Sequence, residues 1–159
     1  LIATKANRIV RAANGRAVLE FGARRAHSYD AAMLGARSAI IGGCVGTSCV
    51  KAAKDFSVKP SGTMAHSWVQ LFPDEYTAFK TYADMYPSAC ILLVDTYDTL
   101  KSGVPNAIRV FTEMREAGIP LTNYGIRLDS GDLAYLSKKA RKMLDEAGLF
   151  NVKICFKRT

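Results

Sequence analysis

An unbroken apolar run, Cys90-Ile91-Leu92-Leu93-Val94, ends abruptly at Asp95. An alternating run would leave one face to water. A continuous run needs cover on both faces, as a parallel strand between helices has. The flanking sequence supplies such helices. Asp74 to Tyr86 opens on two acids after Pro73, sets Phe79, Tyr82 and Tyr86 at helical spacing, and stops at Pro87. Beyond the run, Ser102 is an N-cap candidate and Pro105 falls in the first turn. Val104, Ile108, Phe111 and Met114 share a stripe, and Gly118 terminates it. Tyr124 to Leu128 is a second strand. Leu133, Leu136, Ala140, Met143, Leu144 and Ala147 form a second amphipathic helix ending at Gly148, and Val152 to Cys155 a third strand. This alternation predicts right-handed crossovers and a parallel sheet of α/β class.

The turns after the first two strands echo each other. Asp95-Thr96-Tyr97-Asp98 and Asp129-Ser130-Gly131-Asp132 both fit D-[ST]-x-D. Parallel strands bring both tetrapeptides to the carboxyl rim, where α/β folds bind ligands. Helix capping accounts for Asp98 and Asp132. It does not account for Asp95 and Asp129, which follow the apolar runs directly and stand before the capping positions.

The first half is less regular. Arg16 to Arg25 reads as extended and delivers Arg24 and Arg25 at its end, while Tyr29 to Ser38 reads as a helix. Gly42-Gly43-Cys44-Val45-Gly46-Thr47-Ser48 precedes a helix start at Val50 to Lys54. Glycines and then hydroxyls at such a start suit an anion, because free backbone N–H groups point outward. The segment matches neither GxxxxGK[ST] nor GxGxxG, so no P-loop or dinucleotide fingerprint is supported. His66 is one of two histidines, with His27. Taken alone, either is an ordinary structural or surface side chain.

Charge narrows the partners. Lys and Arg number 22 against 14 Asp and Glu, for a formal net charge of +8, which favours phosphorylated metabolites, nucleotides, nucleic acid or an acidic surface. No apolar stretch approaches the roughly 20 residues that cross a bilayer. Leu1 to Ala13 is basic and lacks the apolar run of a secretory signal. The start at Leu1 rather than Met reads as an interior piece. Cys44, Cys49, Cys90 and Cys155 form no CxxC pair and have no histidines at zinc spacing, which points to reduced thiols in a cytoplasmic protein.

Five segments together carry a family resemblance: Phe21-Gly22-Ala23-Arg24-Arg25-Ala26-His27, Gly46-Thr47-Ser48, Gly62-Thr63-Met64-Ala65-His66-Ser67, Val94-Asp95-Thr96-Tyr97-Asp98 and Ile126-Arg127-Leu128-Asp129-Ser130-Gly131-Asp132. In this order they resemble the motifs of nicotinate phosphoribosyltransferases. The resemblance implies part of an irregular (β/α) barrel with parallel strands, as in type II phosphoribosyltransferases. Residues 1–159 would form a single partial domain, the central part of that barrel, without the family's N-terminal domain and later strands. Phe156-Lys157-Arg158-Thr159 departs from the family's usual continuation.

The implied reaction joins nicotinate to 5-phosphoribosyl-1-pyrophosphate, giving nicotinate mononucleotide and pyrophosphate for NAD biosynthesis. ATP is a co-substrate, hydrolysed through a phosphohistidine, and magnesium accompanies pyrophosphate. By carry-over, His66 takes the phosphoryl group, Asp95 and Asp129 face ribose and magnesium, and Arg24 and Arg127 hold pyrophosphate or the pyridine carboxylate. Phe21 faces the ring, with Arg25, Thr47 and Ser48 as further substrate contacts. Which acid ligates the metal is open. The full-length family protein is expected to be a cytoplasmic homodimer.

Alternatives remain. Enzymes that take nicotinamide carry Asp where this chain has Ser48, and a carboxylate there would repel nicotinate while a hydroxyl donates to it. Quinolinate phosphoribosyltransferase shares the barrel type. A non-catalytic basic module binding phosphates or RNA would fit the charge, but its bases would line a stripe with exposed aromatics. Here the bases are dispersed and the aromatics stand at core spacing, which disfavours nucleic acid.

Overall fold

A computed structural model describes residues 1–156. The departure read at the chain end falls mostly on 157–159, outside the described residues. The chain divides into two compact units, 1–62 and 63–159. The described strands form two small open parallel sheets, β1-β2-β3 and β4-β5-β6, and no barrel closes among the described residues.

The first unit contains α1 (Ile2–Ala12), β1 (Leu19–Glu20), a 3-10 turn (Ala23–Arg25), α2 (Tyr29–Ile41), β2 (Gly46–Thr47), α3 (Val50–Asp55) and β3 (Lys59–Pro60). Its core is small: Ala6, Ala39 and Cys44 with Val10 and Val18 against them. Gly42 lets α1 approach the end of α2, since a Cβ there would lie 2.7 Å from both the Ala3 carbonyl and the Ala6 Cβ. Ser28 caps α2 by accepting the Ala31 N–H at 3.1 Å, and this helix runs three residues past the expected Ser38. The extended reading of Arg16 to Arg25 needs correction. Only Leu19 and Glu20 pair in the sheet, and the Glu20 carboxylate accepts the Gly22 N–H, drawing the chain into the turn that holds Arg24 and Arg25.

The second unit contains α4 (His66–Gln70), α5 (Glu75–Met85), β4 (Ile91–Leu93), a π-helical turn (Thr99–Gly103), α6 (Val104–Glu116), β5 (Gly125–Leu128), α7 (Leu133–Glu146) and β6 (Lys153–Phe156). The register aligns Leu92 with Ile126 and Ile126 with Ile154. Cys90, Leu92, Leu93 and Val94 are fully buried, as a strand covered on both faces requires. Phe79, Val110, Phe111 and Leu144 pack in the same core. Phe111 meets Tyr124 edge to face with centroids 5.3 Å apart.

The caps follow the sequence with one exception. Asp74 accepts from Thr77 N–H at 2.8 Å, Asp132 from Tyr135 N–H at 3.0 Å, and Asp98 from the N–H groups of Leu100 and Lys101. Ser102 does not start a helix. It lies inside the π-helical turn, whose entry Asp98 caps. Among the described residues, no helix is long and apolar enough to cross a membrane.

Candidate active site

The carboxyl ends of β4 and β5 lie side by side, so the residues after Leu93 and Leu128 meet. Asp95 is buried, at 8% exposure. Its Oδ2 accepts the Asp129 N–H at 2.9 Å and the Ser130 hydroxyl at 2.6 Å, stapling the second D-[ST]-x-D turn onto the first. Its Oδ1 is buried and has no partner. This placement on one rim is what the parallel-strand argument expects.

Arg127 projects from β5 and donates from Nη2 to Asp129 Oδ2 at 2.9 Å, with both side chains largely buried. Its Nη1 bonds the Thr63 hydroxyl and reaches the Met64 carbonyl at 3.4 Å, tying β5 to the segment that leads into α4. His66 begins α4. Its Nδ1 is 3.1 Å from the Thr96 hydroxyl and its Nε2 is 3.8 Å from Asp129 Oδ2. The imidazole remains 41% exposed, so a ligand can reach it. His66, Asp95, Arg127 and Asp129 therefore form one constellation, with Thr63, Thr96 and Ser130 holding its members. Sequence reasoning named the first four and missed the three hydroxyls, although Thr96 and Ser130 occupy the second position of the repeated motif.

Near Asp95 lies Glu75, only 3% exposed. Its Oε2 accepts the Ser102 hydroxyl at 2.5 Å, while Oε1 is buried without a partner. Burial pushes its carboxyl up from the ordinary glutamate range. Donation from Ser102 and Asn106 pulls the other way, and the nearby Asp95 and Asp98 charges add to the rise. By contrast, burial raises the Cys90 thiol to about 12, which makes it an inert core residue.

The first unit holds the remaining candidates. Glu20 ties two loops, bonding the Gly22 N–H through one oxygen and the Thr47 hydroxyl at 2.5 Å through the other. Thr47 is fully buried and its hydroxyl also accepts the Cys49 N–H at 3.0 Å. In this structure Thr47 shapes the loop and offers no surface to a ligand. Ser48 and Phe21 are half-buried on the two loops that Glu20 joins, and the Ser48 N–H pairs with the Glu20 carbonyl at 2.9 Å. Arg24 and Arg25 are exposed. Arg25, His27, Glu20 and Gly22 line a cleft of about 300 Å³ with Ile2, Ala31 and Gly35. No local pattern marks Glu20, because its partner lies 27 positions away. One of the glycines before α3 has a structural use: Gly46 serves the close approach of β2 to β3, where a Cβ would lie 2.7 Å from the Lys59 carbonyl.

Acidic turns at the carboxyl ends of parallel strands, with a histidine and an arginine drawn in, define an α/β protein that carries polar chemistry on that rim. The chain belongs to the nicotinate phosphoribosyltransferase (NAPRTase) family, whose sequence model matches residues 17–156. It is 60% identical over 154 residues to nicotinate phosphoribosyltransferase of Bacillus subtilis (strain 168), covering 97% of this chain and 31% of that protein. It is 49% identical to nicotinate phosphoribosyltransferase pncB2 of Mycobacterium tuberculosis (strain ATCC 25618 / H37Rv), covering 97% and 32%. The chain thus spans about a third of the length of these relatives. The crystal structure of human nicotinic acid phosphoribosyltransferase superposes with a TM-score of 0.87 at 28% identity, over 100% of this chain and 42% of that one. That of nicotinate-nucleotide pyrophosphorylase from Pyrococcus furiosus gives 0.80 at 29%, over 98% and 39%.

Proposed function

We propose that this chain supplies part of the active site of a nicotinate phosphoribosyltransferase of NAD biosynthesis, working within the barrel and homodimer of a complete cytoplasmic protein. The observation that carries the reading is the His66, Asp95, Arg127, Asp129 constellation in a chain of this family. The pyridine nitrogen of nicotinate bonds to C1 of phosphoribosyl pyrophosphate as the bond from C1 to the pyrophosphate oxygen breaks. Positive charge builds on the sugar, and Asp129 is the carboxylate suited to face it. Arg127, held by Thr63 and Asp129, offers a fixed guanidinium to the leaving phosphates or to the ring carboxylate. Phe21 and Ser48 face the pyridine ring, and Arg24 and Arg25 add exposed cations. Thr47 supports Ser48 rather than touching substrate.

Two carboxylates against one guanidinium leave the cluster anionic, which calls for a cation when pyrophosphate is bound. The unpartnered Asp95 Oδ1 and the Asp129 carboxylate fit magnesium, which takes one or two carboxylates and completes its shell with phosphates and water. When bound, magnesium would neutralise charge on the leaving pyrophosphate. No group of three or more His, Cys, Asp or Glu residues able to hold a metal occurs among the described residues, so substrate oxygens would have to contribute.

ATP enters through His66. An imidazole nitrogen attacks the γ-phosphorus, ADP departs, and the phosphohistidine is later hydrolysed to orthophosphate. The exposed ring and its Thr96 bond support this role. Incubating the complete protein with phosphoribosyl pyrophosphate, magnesium and nicotinate, nicotinamide or quinolinate in turn, beside an RNA-binding assay, tests the reading. Nicotinate mononucleotide forms from nicotinate, with pyrophosphate in equal amount. Turnover of nicotinamide or quinolinate in its place, or salt-sensitive RNA binding without transfer, would replace the reading with its rival.

A further inference from the structure

Glu75 is a carboxyl in an expensive position. An acid in the first turn of a helix ordinarily faces water and gains from the helix dipole. This one is 3% exposed, and one of its oxygens has no partner at all. Burial of that kind persists where it serves something other than stability. The partner it does have is informative. Ser102 lies within the π-helical turn, a wide turn in which the N–H groups of Ser102 and Gly103 both pair with the Asp98 carbonyl, at 3.0 and 2.9 Å. Such turns are uncommon and gather at functional sites.

The turn is pressed onto the end of β4. A Cβ on Gly103 would fall 1.9 Å from the Val94 carbonyl, so only glycine allows the contact. Val94 directly precedes Asp95. The segment from Asp95 to Gly103 is therefore a closed loop with a double anchor: Gly103 against Val94, and Ser102 on Glu75, with Asn106 Nδ2 donating to Ser102 Oγ at 3.4 Å. At its other end the loop carries the two side chains that hold the chemistry, Asp95 on Asp129 and Ser130, and Thr96 on His66.

We propose that Glu75 is a positioning residue whose buried carboxyl, through Ser102, fixes the loop that sets Asp95 and Thr96 and thereby orients Asp129 and His66. The effect on turnover rests on the function proposed above; the anchoring of the loop does not. What the role requires is a polar bridge at this site, which an amide can supply as well as a carboxyl.

The test uses the complete protein and its Glu75→Ala, Glu75→Gln, Ser102→Ala and Glu75→Ala/Ser102→Ala variants, read by amide hydrogen exchange and by steady-state kinetics. Exchange at residues 99–103 accelerates at least tenfold in Glu75→Ala, while the amides of α6 beyond Val110 keep their protection. In the same variant kcat falls at least tenfold with the KM for nicotinate unchanged. Glu75→Gln restores both to within threefold of wild type, and the double variant is no worse than the poorer single one. Ser102→Ala removes the same bridge from a half-buried site, so it carries the test should Glu75→Ala fail to fold. Unchanged exchange at 99–103 in the bridge-free variants, additive losses in the double variant, or a Glu75→Gln protein as impaired as Glu75→Ala would each overturn the proposal. A wild-type protein that makes no nicotinate mononucleotide would overturn the functional reading alone, because the exchange data still decide whether Glu75 anchors the loop.

Discussion

The Asp95 carboxylate receives the backbone N–H of Asp129 at 2.9 Å, joining two acids that stand 34 positions apart in the chain. The bond means that the first acid governs where the second one points. The Ser130 hydroxyl shares the same carboxylate oxygen at 2.6 Å, so the whole second turn hangs on Asp95.

This sets an order among substitutions. A hydrogen bond to a charged group is worth roughly 1.5–3 kcal/mol. Asp95→Ala removes two of them together with an acid of the site, and kcat/KM for nicotinate mononucleotide formation is expected to fall by about a hundredfold or more. Ser130→Ala leaves the bond to the Asp129 N–H intact and costs about tenfold. The comparison is made on the complete protein by steady-state kinetics. Equal losses in the two variants would show that the Asp129 N–H bond and the carboxylate itself add nothing beyond the Ser130 bond.

His66→Ala should abolish stimulation by ATP and the transfer of label from γ-labelled ATP to protein, while slow transfer from phosphoribosyl pyrophosphate persists. Thr96→Val, which removes the hydroxyl 3.1 Å from Nδ1, should slow labelling without abolishing it. Acid-labile incorporation of the label, followed in both variants, checks this. Undiminished ATP stimulation in His66→Ala would return the histidine to a structural role.

Much of the second unit could be read in advance because its signals are local. Pro73 with Asp74, Gly118 and Gly148 mark helix ends within a few residues, and Asp95 and Asp129 stand out because apolar strands stop at them. Ser102 reads as a cap for the same local reason, but the π-helical turn already begins at Thr99, and Asp98 before it takes that role. Glu75 could not be found this way. From sequence it is an ordinary acid after an N-cap, and only the packing of α5 and the π-helical turn buries it. The first unit was harder still. Its strands are two residues long, too short for any periodicity, and Glu20 acts through Thr47 across 27 positions. In α1 the apolar positions Ile2, Ala6, Ile9 and Val10 do stand at helical spacing between Lys5, Arg8 and Arg11, so this helix was legible, although only its basic character is read above.

Ser48 should select the acid over the amide. Asp at this position would set two anions against each other, about 4 kcal/mol at a spacing near 4 Å and an effective dielectric near 20. Ser48→Asp is therefore expected to lower kcat/KM for nicotinate by about a thousandfold and to raise the ratio of nicotinamide to nicotinate use. Ser48→Ala loses one hydrogen bond and costs between about tenfold and a hundredfold. Intact nicotinate turnover in Ser48→Asp would show that this side chain does not face the ring carboxylate.

The raised Glu75 carboxyl has a consequence for stability with a definite sign. Its folded-state pKa lies above the unfolded value, so the folded state binds this proton more tightly. Its contribution is most favourable below the unfolded pKa and is lost as pH rises through the folded one. Glu75→Gln carries no such proton. Its stability relative to wild type should be lowest near pH 4 and should climb as pH rises, which denaturant unfolding at several pH values measures. A difference that stays constant or shrinks with rising pH would contradict the burial of an ionisable carboxyl at this position.

The most direct measurement is the rate of nicotinate mononucleotide formation by the complete protein with Asp129 replaced by Ala, alongside the unfolding midpoint of the same sample. Asp129 is where the Asp95, Arg127 and His66 interactions converge, so a loss of at least a thousandfold in kcat/KM is expected in a protein that still unfolds cooperatively. Activity within tenfold of wild type would contradict the assignment of the chemistry to this cluster.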